Sequence, residues 1–294
     1  MSWTAVARKD FRDAVRVKWF WALTALFVVF AGGAAYLYGE VELFSGGGPA
    51  TATGLISFLS GASGTLVPII ALLVGYKAIV GERDSGSLKL LLSLPHTRGE
   101  VVLGKLVGRT GVVSLAILVG YLMAVVLGLA LFDEFAVSDF LLFTLLTIAL
   151  GLAYISIAIG LSSAVSSASR AGALAIGFWL VFEFLWGIVG LLLAWTANGF
   201  SLQGLFQGGP PDWYLFFLRL SPTNAYSAVV GTLLPDPQGI GGGGPGAGPG
   251  AGGGAAQAGA DPFFLQDWFG LVILAAWVLV PVGLGYLRFR DIDL

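Results

Sequence analysis

The chain has 294 residues, 57% of them hydrophobic and 11% charged, with a net charge of −2 and a mean hydropathy of +0.89. A soluble domain carries roughly a quarter charged residues, so an ordinary water-soluble globule is excluded. Zero cysteines and one histidine, His96, exclude a disulfide framework, a thiolate metal site and the usual metalloprotease or Ser-His-Asp chemistry.

The first eighteen residues include "SWTAVARKDFRDAVRVK", which reads as an amphipathic helix. Trp3, Val6, Ala7, Phe11, Ala14 and Val15 fall on one face, and Arg8, Lys9, Arg12, Asp13 and Arg16 on the other. A basic polar face suits the anionic surface of a membrane. The segment reads either as a topology anchor or as an elbow helix that receives force from a partner.

Six long apolar runs follow, over 19–38, 55–76, 107–132, 140–164, 171–195 and 268–287. About 20 apolar residues cross a hydrocarbon core of about 30 Å as a helix. Runs this continuous are helices and not barrel strands. The expected fold is an all-α integral membrane protein with six transmembrane helices. The first run exceeds the apolar core of about 7–15 residues found in a signal peptide and reads as a retained span.

Lys and Arg concentrate on the cytoplasmic side of membranes. With the N-terminus inside, 14 of the 15 basic residues fall on cytoplasmic segments, and only Arg219 lies outside. The external segments carry Glu40, Glu42, Asp133, Glu134, Asp139, Asp212, Asp236, Asp261 and Asp267. The expected location is the plasma membrane, with both termini cytoplasmic.

The second run contains "SFLSGASGTLVP", in which Ser57, Ser60, Gly61, Gly64 and Thr65 are small or polar and Pro68 can kink the helix. Such residues serve close helix packing or line a pore. The stretch "ERDSGSLKLLLSLPHTRGEVVLGK" over 82–105 then interrupts the apolar chain. Asp84 or Ser85 can start a short helix ended by Pro95, with Leu88, Leu91 and Leu92 on one face and Ser85, Lys89 and Ser93 on the other. Thr97 and Glu100 fit a capping box that opens the next helix. His96 reads as a solvated residue at a loop corner.

The third run has Gly120, Ala124 and Gly128 at intervals of four, a packing stripe. The fifth holds Glu183 near its middle, where a carboxylate is costly and normally faces the bundle interior or water. Glu183 fits a substrate or gating role, or that of a protonated packing partner. Residues 212–234 are apolar but broken by Pro222 and predict short helices at the outer interface. Residues 239–260 are glycine-rich and read as a flexible external linker. No Lys is followed by Ser or Thr, so there is no Walker A loop, and "FSGGGP" over 44–49 reads as a turn.

The 82–105 stretch resembles the cytoplasmic loop of type-2 ABC transporter (ABC-2) permeases: an acidic-basic pair, Ser-Gly, a Leu-rich helix, Pro, a basic residue and Gly-Lys. The subgroup it most resembles is that of the nitrous-oxide-reductase maturation permeases. The resemblance implies an elbow helix over 1–18, spans one to five over 19–195 with a coupling loop at 81–105, an extracytoplasmic segment over 196–266, and a sixth span with a tail over 267–294. It further implies pairing with a second permease copy, identical or not, and with two separate ABC ATPase subunits that bind ATP with Mg. The chain itself would bind no cofactor and no nucleic acid, and its surroundings would be membrane lipid. Glu82, Arg83, Asp84, Ser85, Gly86, Lys89 and Ser93 become candidates for the ATPase-coupling interface. Ser57, Ser60, Gly61, Gly64, Thr65 and Glu183 become candidates for a translocation path. Two other readings stand beside this one: a proton-coupled secondary transporter using Glu183, and a non-transporting membrane subunit that transmits force or assists assembly.

Overall fold

A computed structural model describes residues 3–41, 49–86, 97–201, 210–234 and 262–290. Lys89, Ser93, His96 and the glycine-rich 239–260 segment lie outside the described residues. Helix α1 is Trp3–Val15, and α2, Lys18–Glu40, is the first span. The second span is α3, Ala52–Gly75, followed after one turn by the short α4, Val80–Asp84. Helices α5, Arg98–Leu131, and α6, Val137–Ala164, are spans three and four. Span five is α7, Ala168–Leu180, then a π-helical turn at Val181–Leu185, then α8, Trp186–Ala197. Two short helices, α9 (Asp212–Arg219) and α10 (Pro222–Gly231), precede a 3-10 turn and span six, α11, Phe269–Arg290. Six helices are thus long and apolar enough to cross a membrane, and the fold is all-α, with no strand among the described residues.

Local chemistry sets the helix starts. Thr51 caps α3 by accepting from the Gly54 N–H at 3.2 Å. At α5 the full capping box forms: Thr97 Oγ1 accepts from the Glu100 N–H at 3.2 Å, and Glu100 Oε2 accepts from the Thr97 N–H at 2.8 Å. Ser167 caps α7 through the Arg170 N–H at 3.4 Å.

Span four is the centre of the bundle. Two-thirds of its apolar window is buried (67%), against 17% for span five and 22% for span six. It packs on α3, α5, α10 and α11. Helix α5 forms a second spine that seats α1 and α2, and glycines make the seat. A Cβ on Gly120 would meet the Phe27 backbone carbonyl carbon of α2 at 2.7 Å. Cβ atoms on Gly104 and Gly108 would meet Val6 Cβ at 2.6 Å and Asp10 Oδ2 at 2.9 Å in α1. Only hydrogen fits where helices approach this closely.

The 212–234 segment departs from the interfacial position expected of it. Pro222 does break it into two helices, but α10 is inserted into the bundle, with Ala225 and Tyr226 fully buried. Tyr226 OH lies 3.0 Å from Thr147 Oγ1 of α6, which satisfies its polar end inside the core. Arg219, at the end opposite α1, is anchored by Asp267 at 2.8 Å and by the Leu265 carbonyl.

The close approach at Gly120 gives a stability test. Gly120→Ala is expected to lower stability by about 1–3 kcal/mol through overpacking against α2. Gly61→Ala, which meets nothing within 4 Å, should be neutral or slightly stabilising, because Ala is the better helix former. Thermal unfolding of the two variants in detergent checks this, and equal midpoints would refute the tight seat.

Candidate functional site: an ionic junction and a buried carboxylate

At one end of the bundle, four charged side chains from three helices meet. Asp10 lies on the buried face of α1, and Lys105 and Arg109 are one turn apart on α5. Lys105 Nζ donates to Asp10 Oδ1 at 3.0 Å and also to Glu82 at the end of α4. Arg109 approaches both oxygens of the same aspartate, Nη2 to Oδ1 at 3.2 Å and Nε to Oδ2 at 2.9 Å. The Nε contact is too poorly aligned to count as a hydrogen bond, so it is ionic in character. The Lys105 and Asp10 side chains are each only 5% exposed. Burying such charges is tolerable only when each is paired. Lys105 lies between Gly104 and Gly108, so the close approach of α1 that these glycines permit brings Asp10 within reach.

The candidates for the ATPase-coupling interface separate here. Residues 82–84 form the last turn of α4 rather than the start of a new helix. Ser85 closes α4, its hydroxyl donating to the Glu82 carbonyl at 3.2 Å, and Gly86 turns with φ +74°. A left-handed φ at this point suits glycine and ends the helix. The Glu82 side chain is directed at Lys105. Asp84 Oδ2 accepts from the Ala168 N–H at 3.0 Å, which ties α4 to the start of span five. Arg83 turns to a cavity shared with Arg170 and Arg288. The acidic members of the motif therefore hold α4 in place, while Arg83 points elsewhere.

The second centre lies in the middle of span five. Glu183 sits in the π-helical turn and is 3% exposed. Its Oε2 accepts from Thr223 Oγ1 at 3.0 Å, and its Oε1 accepts from Thr65 Oγ1 at 3.4 Å. With its single proton committed to Glu183, Thr223 accepts from Tyr154 OH at 3.0 Å. Hydroxyls from α3 and α10 thus converge on one carboxylate, and Tyr154 of α6 supports the Thr223 hydroxyl behind it. No Lys or Arg among the described residues pairs with it. π-turns often accompany functional sites, because the extra residue re-aims a side chain.

Of the candidates for the translocation path, the structure brings Gly64, Thr65 and Glu183 together. The Gly64 carbonyl lies 3.5 Å from Thr223 Oγ1. Ser60 donates to the Ser57 carbonyl of its own helix at 2.8 Å, and Gly61 faces open space, so Ser57, Ser60 and Gly61 stand apart from the carboxylate. Ser63 instead pairs with Tyr121 at 2.6 Å. Sequence reasoning missed Asp10, Lys105, Arg109, Thr223 and Tyr154 as site residues. An acid on the apolar face of α1 and the Gly104, Gly108, Gly111 spacing were signals for the first three. Among the described residues, no group of three or more His, Cys, Asp or Glu side chains is placed to hold a metal ion.

The junction predicts strong non-additivity. Lys105→Met leaves Glu82 and Asp10 short of a cation and is expected to cost about 3 kcal/mol, the low end for a broken buried pair, because Arg109 remains on Asp10. Asp10→Asn should cost a similar amount, and the double variant markedly less than their sum. Detergent melts of the three variants form the double-mutant cycle, and strict additivity would show that Lys105 and Asp10 do not interact.

Comparison with known proteins agrees with this architecture. Residues 4–294 match the family described as ABC-2 family transporter protein. The probable ABC transporter permease protein NosY of Stutzerimonas stutzeri is 34% identical over 229 residues, covering 76% of this chain and 79% of the relative. Its namesake from Pseudomonas aeruginosa is 34% identical over 235 residues, covering 77% and 80%. With six apolar helices and a family match over almost its whole length, the chain is a multi-pass membrane protein that belongs to the ABC-2 transporter family.

Proposed function

We propose that this chain is the membrane-embedded permease subunit of an ABC transporter, driven by ATP hydrolysis on separate ATPase subunits. Two such ATPases, each binding ATP with Mg, would dock on a pair of permease chains through the 82–94 segment, and both termini would be cytoplasmic. The observation that carries the reading is the ionic junction. The loop that resembles a coupling loop leaves the bundle where Glu82, Lys105, Asp10 and Arg109 lock three helices together. A push on that loop therefore reaches α1 and α5 through short, directional ionic contacts rather than through a slack linker. The family match and the permease names of the two relatives support the same role.

The buried carboxylate favours a second reading, proton-coupled transport through Glu183. A carboxyl group held in the bundle by the Thr65 and Thr223 hydroxyls, and by no cation among the described residues, is of the kind that marks proton relays in membrane proteins. A non-transporting subunit that passes force to an extracytoplasmic partner would use the ionic junction and leave Glu183 as packing.

The test uses the full chain co-expressed with a candidate ABC ATPase and reconstituted into proteoliposomes. Lys89→Glu with Ser93→Glu should abolish ATPase co-purification and permease-stimulated hydrolysis while leaving the detergent melt unchanged. Unaltered capture and stimulation would refute docking through this segment. Glu183→Gln keeps shape and hydrogen-bond capacity but not the titrating proton. On the ABC reading, it should keep at least about a fifth of the stimulated hydrolysis, since neutral amide-hydroxyl bonds replace the existing ones at a cost of about 1 kcal/mol or less. Transport that persists without ATPase and collapses both with the proton gradient and with Glu183→Gln would establish the second reading instead.

A further inference from the structure

A cavity of about 300 Å³ opens at the junction end of the bundle, where α4, the end of α6, the start of α7 and the end of α11 meet. Arg83, Arg170 and Arg288 line it together with Ala164, Val165 and Ser166. Among the described residues none of the three arginines is ion-paired: the four salt bridges use Lys105, Arg109 and Arg219. The one side-chain bond they make among the described residues is the long one from Arg170 Nη1 to Ser166 Oγ, at 3.4 Å. No carboxylate among the described residues lines the cavity. The two acids that flank Arg83 are already engaged, Glu82 with Lys105 and Asp84 with the Ala168 N–H. The start of α7 is likewise occupied, by Asp84 and by the Ser167 cap, so the helix N-terminus supplies no anion site of its own. What remains is three guanidinium groups from three separate segments around one opening, with no salt-bridge partner among the described residues. Guanidinium forks match phosphate oxygens in geometry and charge.

The surface running away from the cavity is apolar. Val280 and Leu284 precede Arg288 at intervals of four on α11 and are 55% and 64% exposed. Leu174 follows Arg170 by one turn on α7 and is 46% exposed. Further along, α7 and α11 close on each other where the Phe178 and Trp277 rings meet edge to face, 5.5 Å apart. Each helix therefore carries an arginine at the opening and exposed aliphatic side chains beneath it. That is the pattern of a ligand with a charged head and a hydrocarbon body.

We propose that Arg83, Arg170 and Arg288 form a phosphate-binding site that holds the headgroup of an anionic phospholipid, with its acyl chains lying along Leu174 and Leu284. Basic pockets between membrane helices bind anionic head groups in this manner. The site fixes the entry of span five against the exit of span six. It rests on the chain being embedded in a membrane; Arg83 also lies in the 82–94 segment, so of the three arginines the test varies only Arg170 and Arg288, which lie outside it.

The test uses the purified full chain alone, in phosphatidylcholine nanodiscs with and without phosphatidylglycerol, followed by thermal unfolding and by native mass spectrometry of retained lipid. Phosphatidylglycerol should raise the melting midpoint of the unaltered protein and appear as a retained lipid. Arg170→Gln and Arg288→Gln should each weaken retention by about tenfold, the loss expected for one charge-assisted hydrogen-bonding partner, while keeping the midpoint seen in pure phosphatidylcholine. Arg8→Gln with Arg12→Gln on the exposed face of α1 should leave the phosphatidylglycerol shift intact. Arg170→Lys with Arg288→Lys, which keeps the charge and loses the fork, should retain lipid to an intermediate degree. The proposal is overturned if the phosphatidylglycerol shift is absent or survives both glutamine variants. It is also overturned if inorganic phosphate in pure phosphatidylcholine nanodiscs reproduces the full shift, which would make the site one for a soluble anion.

Discussion

The contact between Lys105 and Asp10 sets the terms for one end of the molecule. Two opposite charges, each 5% exposed, are stable only as a pair, and forming the pair requires α1 to lie almost in van der Waals contact with α5. Gly104 and Gly108 make that approach possible, and Val6 and Ala7 fill the remaining space. Arg109 then balances the second carboxylate oxygen, and Glu82 takes the other side of Lys105, which brings α4 into the same unit. An apolar contact of equal area could hold the helices with similar strength. It would not fix their register, because apolar faces slide. The ionic set permits one register only, since any shift strands a buried charge.

Glu183 is buried by the opposite means. Its partners are neutral hydroxyls, so the site can hold the carboxyl group without committing it to a permanent ion pair. The hydroxyls come from elements far apart in sequence, Thr65 on α3 and Thr223 on the inserted α10, with Tyr154 on α6 bonded in turn to Thr223. Span five is held to the bundle mainly through such specific contacts. These include Asp84 at its start, the Phe178 and Phe182 rings against Trp277, and Trp186 Nε1 donating to the Phe217 carbonyl at 3.0 Å. With only 17% of its apolar window buried, it is the span least fixed by packing.

The spans were legible because membrane insertion leaves a one-dimensional signal, a run of apolar residues of fixed minimum length. The capping box at Thr97 was legible because it is local, four residues that satisfy one another. The depth of Glu183 in span five followed from counting alone. Its partners did not, since Thr223 and Tyr154 belong to segments whose meeting depends on how α10 folds back into the bundle. Pro222 showed that 212–234 must break but not which way the second helix would turn. Asp10 was hidden for a different reason. Amphipathic reading sorts residues into apolar and polar faces, and a buried, paired acid violates that sorting. Glu82 and Asp84 read as outward contact residues, because an acidic-basic cluster between spans is usually solvated. Their actual partners, Lys105 and the Ala168 N–H, lie 23 and 84 residues further on.

The two centres are mechanically unequal, and that inequality gives the proposed role its direction. A displacement entering through the segment after Gly86 meets α4, which has two attachments. Glu82 leads to the α1–α5 unit, which glycine contacts and buried charges make stiff. Asp84 leads to the first turn of span five, which is exposed along most of its length and interrupted by a π-turn. Movement divides according to compliance, so the stiff unit acts as the fulcrum and span five as the arm. The π-turn lies near the middle of that arm, where the regular hydrogen-bond ladder is already offset and a bend costs least. Glu183 occupies that point, and its bonds to Thr65 and Thr223 are the ones a bend of span five strains first. On the proposed role, the carboxylate and the loop are thus connected through the helix that carries Glu183, and no separate pathway between the two sites is required.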